Sequence, residues 1–387
     1  MKKLIGSVAG ILLSLAVAAC SAPTGASSSA ASAAASSASS VAASAASSDT
    51  SSAASAASSE ASSAAFSTAA GTITDMLGNT VQIPEKIERI ADSWPAHSEI
   101  LMMLGAGDKI VATANTKQTV PWMFHINPSL SDAITTSNKD FNTEDLAAKQ
   151  PDIFFMSPGN TNADKIKSMG IPTVQLNFTN YDEMKQCISL TAQVLGGDAI
   201  TRADKYIQYL DNTLASVKQK TANLSAAEKP KVLHIQSLEP LKVDGSDTII
   251  DDWITAAGGV NAAQGVKGNM KEVSMEQVLQ WNPDVVIIGV NTGKDGAAEL
   301  KANKAWANIK AVQDNKVYNN PSGAYGWDRY SAEEVLQVQW AAKTLHPDLF
   351  QDVNLVQMVR EYYQTYLNYP LSTDEAQLIL EAKPPAD

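Results

Sequence analysis

Apolar residues recur along this chain in two alternating rhythms. Short unbroken runs, Ile153–Met156 and Val285–Ile288, have the length of strands buried on both faces. Each follows a stretch of helical spacing and a Pro-Asp pair. Residues 141–156 read FNTEDLAAKQPDIFFM, and residues 273–288 read VSMEQVLQWNPDVVII. Thr143 and Ser274 are the expected helix caps, each near a Glu, and Pro151 and Pro283 are expected to end the helices. A repeat of this size predicts two similar lobes and not a short-period solenoid.

The remaining pattern fits two α/β lobes. In the first, a strand begins at Arg89-Ile90-Ala91, a helix covers 98–104 and closes at Gly105, and a strand covers 109–112. In the second, a strand covers 231–235, and a helix covers 248–257 and closes at Gly258-Gly259. Strands alternating with helices predict mostly parallel sheets. Between the lobes, Met184, Ile188, Thr191, Val194 and Leu195, then Ala203, Tyr206, Leu210 and Leu214, keep helical spacing without proline. Gly196-Gly197 marks a break, and the second half is predicted to be a single helix joining the lobes. Cys187, Met102 and Met103 read as core, and His346 before Pro347 as a helix end.

The N-terminus reads as an address. Lys2 and Lys3 precede the apolar stretch 4–17, and Val17-Ala18-Ala19 leads into Cys20. These are the flanks and length of a signal peptide. The small residues before Cys20 resemble a bacterial lipobox, which implies cleavage before Cys20 and diacylglycerol on it. In residues 21–70, 20 positions are Ser and 21 are Ala, with no Lys or Arg. Such a segment cannot bury a face to offset its ordering entropy and is expected to be a disordered tether. The expected organisation is a signal peptide over 1–20, tether over 21–70, N-terminal lobe over 71–180, connecting helical segment over 181–224 and C-terminal lobe over 225–387. The head is placed outside the cytoplasmic membrane, extracellular or periplasmic, anchored through Cys20.

Composition narrows the function classes. The 387 residues carry 29 Lys and Arg against 41 Asp and Glu, a net charge of −12. That argues against nucleic-acid binding, which needs a basic face. Two cysteines exclude a disulfide-rich module and a Cys-based zinc site. The four histidines form no HxH or HExxH pair. There is no GxGxxG after a strand, no phosphate loop of the GxxxxGKS type and no GxSxG turn.

This organisation resembles the class III substrate-binding proteins of bacterial ABC importers, the iron-siderophore, haem and cobalamin group. The resemblance is carried by Asp75-Met76-Leu77-Gly78-Asn79-Thr80-Val81-Gln82-Ile83-Pro84, Glu88-Arg89-Ile90, Glu99-Ile100-Leu101 with Leu104-Gly105, the Glu-containing repeats and the long connecting helix. It implies two Rossmann-like lobes joined by one rigid helix, a ligand cleft between them and no catalysis. It also implies a permease dimer as partner, met by Glu144 on one lobe and Glu276 on the other. The head is expected to act as a monomer without a resident cofactor. A surface adhesin is the alternative from another class.

In open α/β sheets, ligands sit beyond the carboxyl ends of the strands. The loop after Ile90-Ala91 carries Trp94 and His97, and the loop after Val317-Tyr318 carries Tyr325, Trp327 and Arg329. The aromatic residues offer contact area, Arg329 suits a carboxylate or an anionic chelate, and His97 can complete the coordination of a bound metal. Each has a structural alternative. Trp94 plugs its own lobe, His97 caps a helix, Arg329 pairs with Glu333 or Glu334. His125 stands at a loop edge or packs locally. Lacking a three-His set, the chain is expected to take a chelated metal, foremost an iron chelate, with a nickel or cobalt chelate or cobalamin as alternatives.

Overall fold

A computed structural model describes residues 71–137, 142–289 and 295–386. The signal peptide with Cys20 and the tether 21–70 lie outside the described residues, as does Phe141 of the first repeat. Among the described residues no helix is long and apolar enough to cross a membrane.

The N-terminal lobe opens with an antiparallel hairpin, Thr72–Thr74 (β1) and Thr80–Gln82 (β2). Asp75 fixes its turn by accepting the Leu77 and Asn79 amides. Then Ile90–Asp92 (β3), Ile110–Thr113 (β4), Ile134–Thr135 (β5), Ile153–Met156 (β6) and Thr173–Gln175 (β7) form a parallel sheet in the order β5-β4-β3-β6-β7. Helices His97–Met103 (α1), Pro121–Ile126 (α2), Thr143–Lys149 (α3) and Ala163–Ser168 (α4) follow these strands. All four residues of β6 are buried, as an unbroken apolar run with helices on both faces requires.

Tyr181–Leu195 (α5) and Asp198–Thr221 (α6) connect the lobes. Gly196 and Gly197 both take positive φ between them, so the connection is two helices with a glycine joint. Arg202 stitches α6 to both halves of the head. Its Nε donates to Met103 O at 2.8 Å and its Nη2 to Tyr366 O at 2.6 Å. These carbonyls end two helices and have no intrahelical donor, and a cation there also meets the favourable end of each helix dipole.

The C-terminal lobe contains Lys231–Leu238 (β8), Leu241–Val243 (β9), Val260–Asn261 (β10), Lys271–Glu272 (β11), Val285–Ile288 (β12) and Val317–Asn319 (β13). The order is β11-β9-β8-β12-β13, with β10 beside the start of β8; β8, β9 and β11 pair antiparallel and the rest parallel. Its helices are Ile249–Ala256 (α7), Met275–Trp281 (α8), Gly296–Ala302 (α9), Lys310–Gln313 (α10), Glu334–Leu345 (α11), Leu355–Tyr366 (α12) and Thr373–Leu380 (α13). One large core joins α1, α5, α6, α7, α11 and α12, and smaller clusters fill each sheet's other face.

The two repeats fold alike, with one difference from the sequence reading. Asn142, not Thr143, caps α3, its side chain accepting the Glu144 and Asp145 amides. Asn142 aligns with Ser274, which caps α8 with a reciprocal bond from Gln277. Both helices end in a left-handed residue before the proline, Gln150 at φ 48° and Asn282 at φ 43°. The aspartates that follow do the same work. Asp152 accepts the Arg89 amide entering β3, and Asp284 accepts the Lys231 amide entering β8.

Candidate functional site

The carboxyl ends of both sheets converge on one region, and Asp92 organises its N-terminal side. Fully buried at the end of β3, it accepts the Trp94 amide at 3.0 Å and the Ser98 hydroxyl at 2.9 Å. Asn115 reaches back to Pro95 O at 2.8 Å and Asn160 to Ser93 Oγ at 2.9 Å, so the loop is braced from two neighbouring strands. The indole of Trp94 thereby meets Phe178, beyond β7, with ring centroids 5.5 Å apart.

Across the cleft stands Tyr330, its ring centroid 6.5 Å from Trp94 and 5.5 Å from Phe178. This trio joins the lobes. Tyr330 holds φ at 64°, a region that costs a bulky residue about 1–3 kcal/mol. Its amide donates to Glu334 Oε1 at 3.3 Å, and its hydroxyl accepts from Asn269 at 3.0 Å. Beside it, Arg329 donates from Nη1 to Gln236 Oε1 at 2.7 Å and from Nη2 to Met270 Sδ at 3.8 Å. Glu333 and Glu334 turn into the interior, so the expected surface ion pair with Arg329 is not formed. Tyr325 is half-buried, its amide bonded to Glu333 Oε2 at 2.8 Å.

Two expected contacts are interior instead. His97 is completely buried, with Nε2 3.0 Å from Thr191 Oγ1 and Nδ1 3.3 Å from Asp92 Oδ2. Its ring stacks on Trp94 at 5.9 Å and 10°. It neither caps α1 nor presents an open nitrogen; it backs Trp94. Trp327 is also fully buried, and its indole donates to Glu333 Oε1 at 3.1 Å. Trp94 is itself only 9% exposed, so it serves its lobe's packing as well as the cleft.

Sequence reasoning did not single out Phe178, which follows β7, or Tyr330, which stands in the loop after β13. It also missed a chain of buried polar groups below Arg329. His234 on β8 sits with Nδ1 2.8 Å from Asp244 Oδ2 and Nε2 2.9 Å from Asp328 Oδ2. Burial opposes its charge, but the two carboxylates prevail and raise its pKa to about 9.

A cavity of about 420 Å³ adjoins the cleft, with Thr119 and Trp122 from the N-terminal lobe and Gly289, Asn319 and Asn320 from the other. A larger one, about 680 Å³, lies at the back, where α1 meets α6. It is away from the strand ends, and Arg202 and Lys109 on its wall already donate to backbone carbonyls. The front cleft is therefore the candidate site. Glu144 and Glu276 lie elsewhere, exposed in the first turns of α3 and α8.

The chain is 30% identical over 336 residues to a molybdate-binding protein, MolA, of Haemophilus influenzae, spanning 79% of this chain and 93% of that protein. The crystal structure of MolA bound to molybdate superposes with a TM-score of 0.70 at 26% identity, covering 78% of this chain and 99% of that one. A periplasmic solute-binding protein of Veillonella parvula gives 0.70 at 29% identity, over 80% and 96%. A family model, described as periplasmic binding protein, matches residues 93–324, from the serine before Trp94 to the alanine before Tyr325. Both cleft loops thus fall at the ends of that match, and the chain belongs to the periplasmic binding protein family.

Proposed function

We propose that this chain is the extracytoplasmic substrate-binding protein of an ABC importer, and that it captures an anionic metal-bearing solute between its lobes. Its relatives are solute-binding proteins of ABC transporters, which are not enzymes. The observation that carries the ligand class is Arg329. Its guanidinium is held at the cleft by two neutral acceptors, Gln236 and Met270, beside the aromatic wall of Trp94, Phe178 and Tyr330. A cation whose direct hydrogen-bond partners are neutral suits an anion. Among the described residues, no three His, Cys, Asp or Glu side chains are grouped to hold a bare metal ion. That favours a solute bringing its own ligands.

An anionic iron chelate, the solute implied by the family resemblance, has this chemistry. So does a tetrahedral metal oxyanion. The oxyanion is favoured by one finding, the similarity to a molybdate-binding protein over most of this chain. Trp94, Tyr325 and Arg329 are the proposed contacts, with His97 and Trp327 supporting them from behind. Anchoring through Cys20 and docking of Glu144 and Glu276 on a permease dimer complete the proposal.

The test is metal analysis and native mass spectrometry of co-purified solute, then tryptophan-fluorescence titration with molybdate and with ferric citrate. Bound molybdenum oxyanion or an intact iron chelate selects between the two. A cationic or metal-free ligand, or substrate turnover, overturns the ligand class.

A further inference from the structure

Arg329 is adjacent in sequence to a buried carboxylate, Asp328, and lies near a second, Asp244. Left to itself, a guanidinium would pair with either and bring no charge to a ligand. The structure prevents this. Asp244 and Asp328 flank His234 at 2.8 and 2.9 Å, all three fully buried, so one oxygen of each carboxylate already faces the imidazole and not the guanidinium.

The same chain sets the two groups that hold Arg329. Gln236 donates its Nε2 to Asp328 Oδ2 at 3.2 Å and accepts Arg329 Nη1 on Oε1 at 2.7 Å. A carboxylate only accepts and a guanidinium only donates, so the amide can face just one way. Asp244 Oδ1 accepts the Met270 amide at 2.8 Å, fixing a residue at φ 52° whose sulfur meets Arg329 Nη2 at 3.8 Å. The backbone makes room for this. A Cβ on Gly289 would stand 2.7 Å from Asp328 Oδ2 and 2.9 Å from Gln236 Nε2.

We propose that Asp244, His234 and Asp328, acting through Gln236 and the Met270 turn, are positioning residues that hold the Arg329 guanidinium outward, on neutral direct partners, for anion capture. The inference rests on the reading of Arg329 as the ligand anchor. His234 faces one oxygen of each carboxylate, and neutral acceptors aim the guanidinium.

The test uses the full chain in two arms. In the ligand-free arm, arginine side-chain ¹⁵N NMR follows Arg329, assigned by its disappearance in Arg329→Lys. The wild type should show separate, slowly exchanging Nη signals. Gln236→Ala should average them, and His234→Gln should shift them as the guanidinium turns toward Asp328. If His234→Gln does not fold, Gln236→Ala decides alone, since it leaves the Asp–His–Asp chain in place. Unaveraged Arg329 signals in a folded Gln236→Ala protein would overturn the proposal.

The second arm titrates molybdate, and separately ferric citrate, into wild type, Gln236→Ala, Arg329→Ala and the double variant. A positioning role predicts at least a tenfold loss in Gln236→Ala, with the double variant within twofold of Arg329→Ala. Losses that multiply in the double variant refute it, because Gln236 would then act independently of Arg329. Failure of the wild type to bind either probe counts against the ligand reading alone, and the NMR arm still decides the positioning role.

Discussion

Glu99 on α1 accepts the hydroxyl of Tyr362 on α12 at 2.9 Å, and its other oxygen accepts the Ala332 amide at 2.6 Å. A fully buried carboxyl thus ties a helix of the N-terminal lobe to the C-terminal helices. Glu333 uses the same chemistry within the C-terminal lobe, accepting Tyr363 Oη at 2.6 Å and Trp327 Nε1. Among the described residues neither faces a cation. Burial, reinforced for Glu99 by Glu333, raises both pKa values above the ordinary carboxylate range.

The sign of the resulting pH dependence follows. A carboxyl with a raised folded pKa keeps its proton longer in the folded chain than in the unfolded one. Its stabilisation is therefore complete at pH below the unfolded value and is lost as pH rises through the folded value. The melting temperature should fall between about pH 5 and pH 9, and Glu99→Gln should flatten that fall. Glu99→Ala should cost about 1–3 kcal/mol at any pH by stranding the Ala332 amide and Tyr362 hydroxyl. Thermal melts across this range check both, and a Glu99→Gln slope equal to wild type would remove Glu99 from the account.

Arg329 and Trp327 should separate binding from stability. Arg329→Ala removes a half-buried cation and should weaken anion binding by about 1–3 kcal/mol with little change in melting temperature. Trp327→Ala empties a fully buried site and should cost about 3–5 kcal/mol of stability. Paired titration and denaturant unfolding would show the exchange. Equal stability loss in both variants would mean that Arg329 is structural.

The repeats were legible because their signals are local. Caps, Pro-Asp pairs and apolar runs act within a few residues of one another, so each lobe announces itself. Even the misplaced cap, Thr143 for Asn142, is a shift of one residue in the same turn. The cleft is a different matter. Trp94 meets Tyr330 only because two lobes fold and face each other, and no local spacing encodes that pairing. Helix α1 shows a second obstacle. Every residue of HSEILMM is buried, so the polar face that would have marked His97 and Glu99 as inward does not exist. The Asp244–His234–Asp328 chain draws on a strand, a hairpin end and a distant loop, each unremarkable alone.

Anchoring is tested at Cys20. Cys20→Ala would remove the proposed lipid attachment, and among the described residues no helix is long and apolar enough to span a membrane in its place. A diacyl anchor holds stably where one chain holds weakly. The variant should accumulate as unprocessed precursor or be released, as fractionation and mass determination would show. Processing and membrane partition like wild type would rule out the lipobox.

Docking rests on the equivalence of Glu144 and Glu276. Each is exposed, and each is the second helical residue of a corresponding helix, α3 capped by Asn142 and α8 capped by Ser274. A two-lobed head with one acidic contact per lobe matches a permease of two similar halves carrying cations. An acidic side chain in a helix's first turn is also favoured by the helix dipole, so its presence alone does not require a partner. The two roles differ in what they lose. As helix-terminal charges, the pair adds a little to helix stability and nothing to transport. As docking charges, they steer orientation and encounter with the permease and add little to solute affinity. Glu144→Ala with Glu276→Ala should therefore leave solute affinity and fold nearly unchanged while strongly reducing uptake. Reversal of both to Lys should reduce uptake further by setting like charges against the permease. Each variant is measured by solute titration of the protein and by uptake into cells carrying the cognate permease. Wild-type uptake by the double Lys variant would leave Glu144 and Glu276 as helix-terminal charges alone.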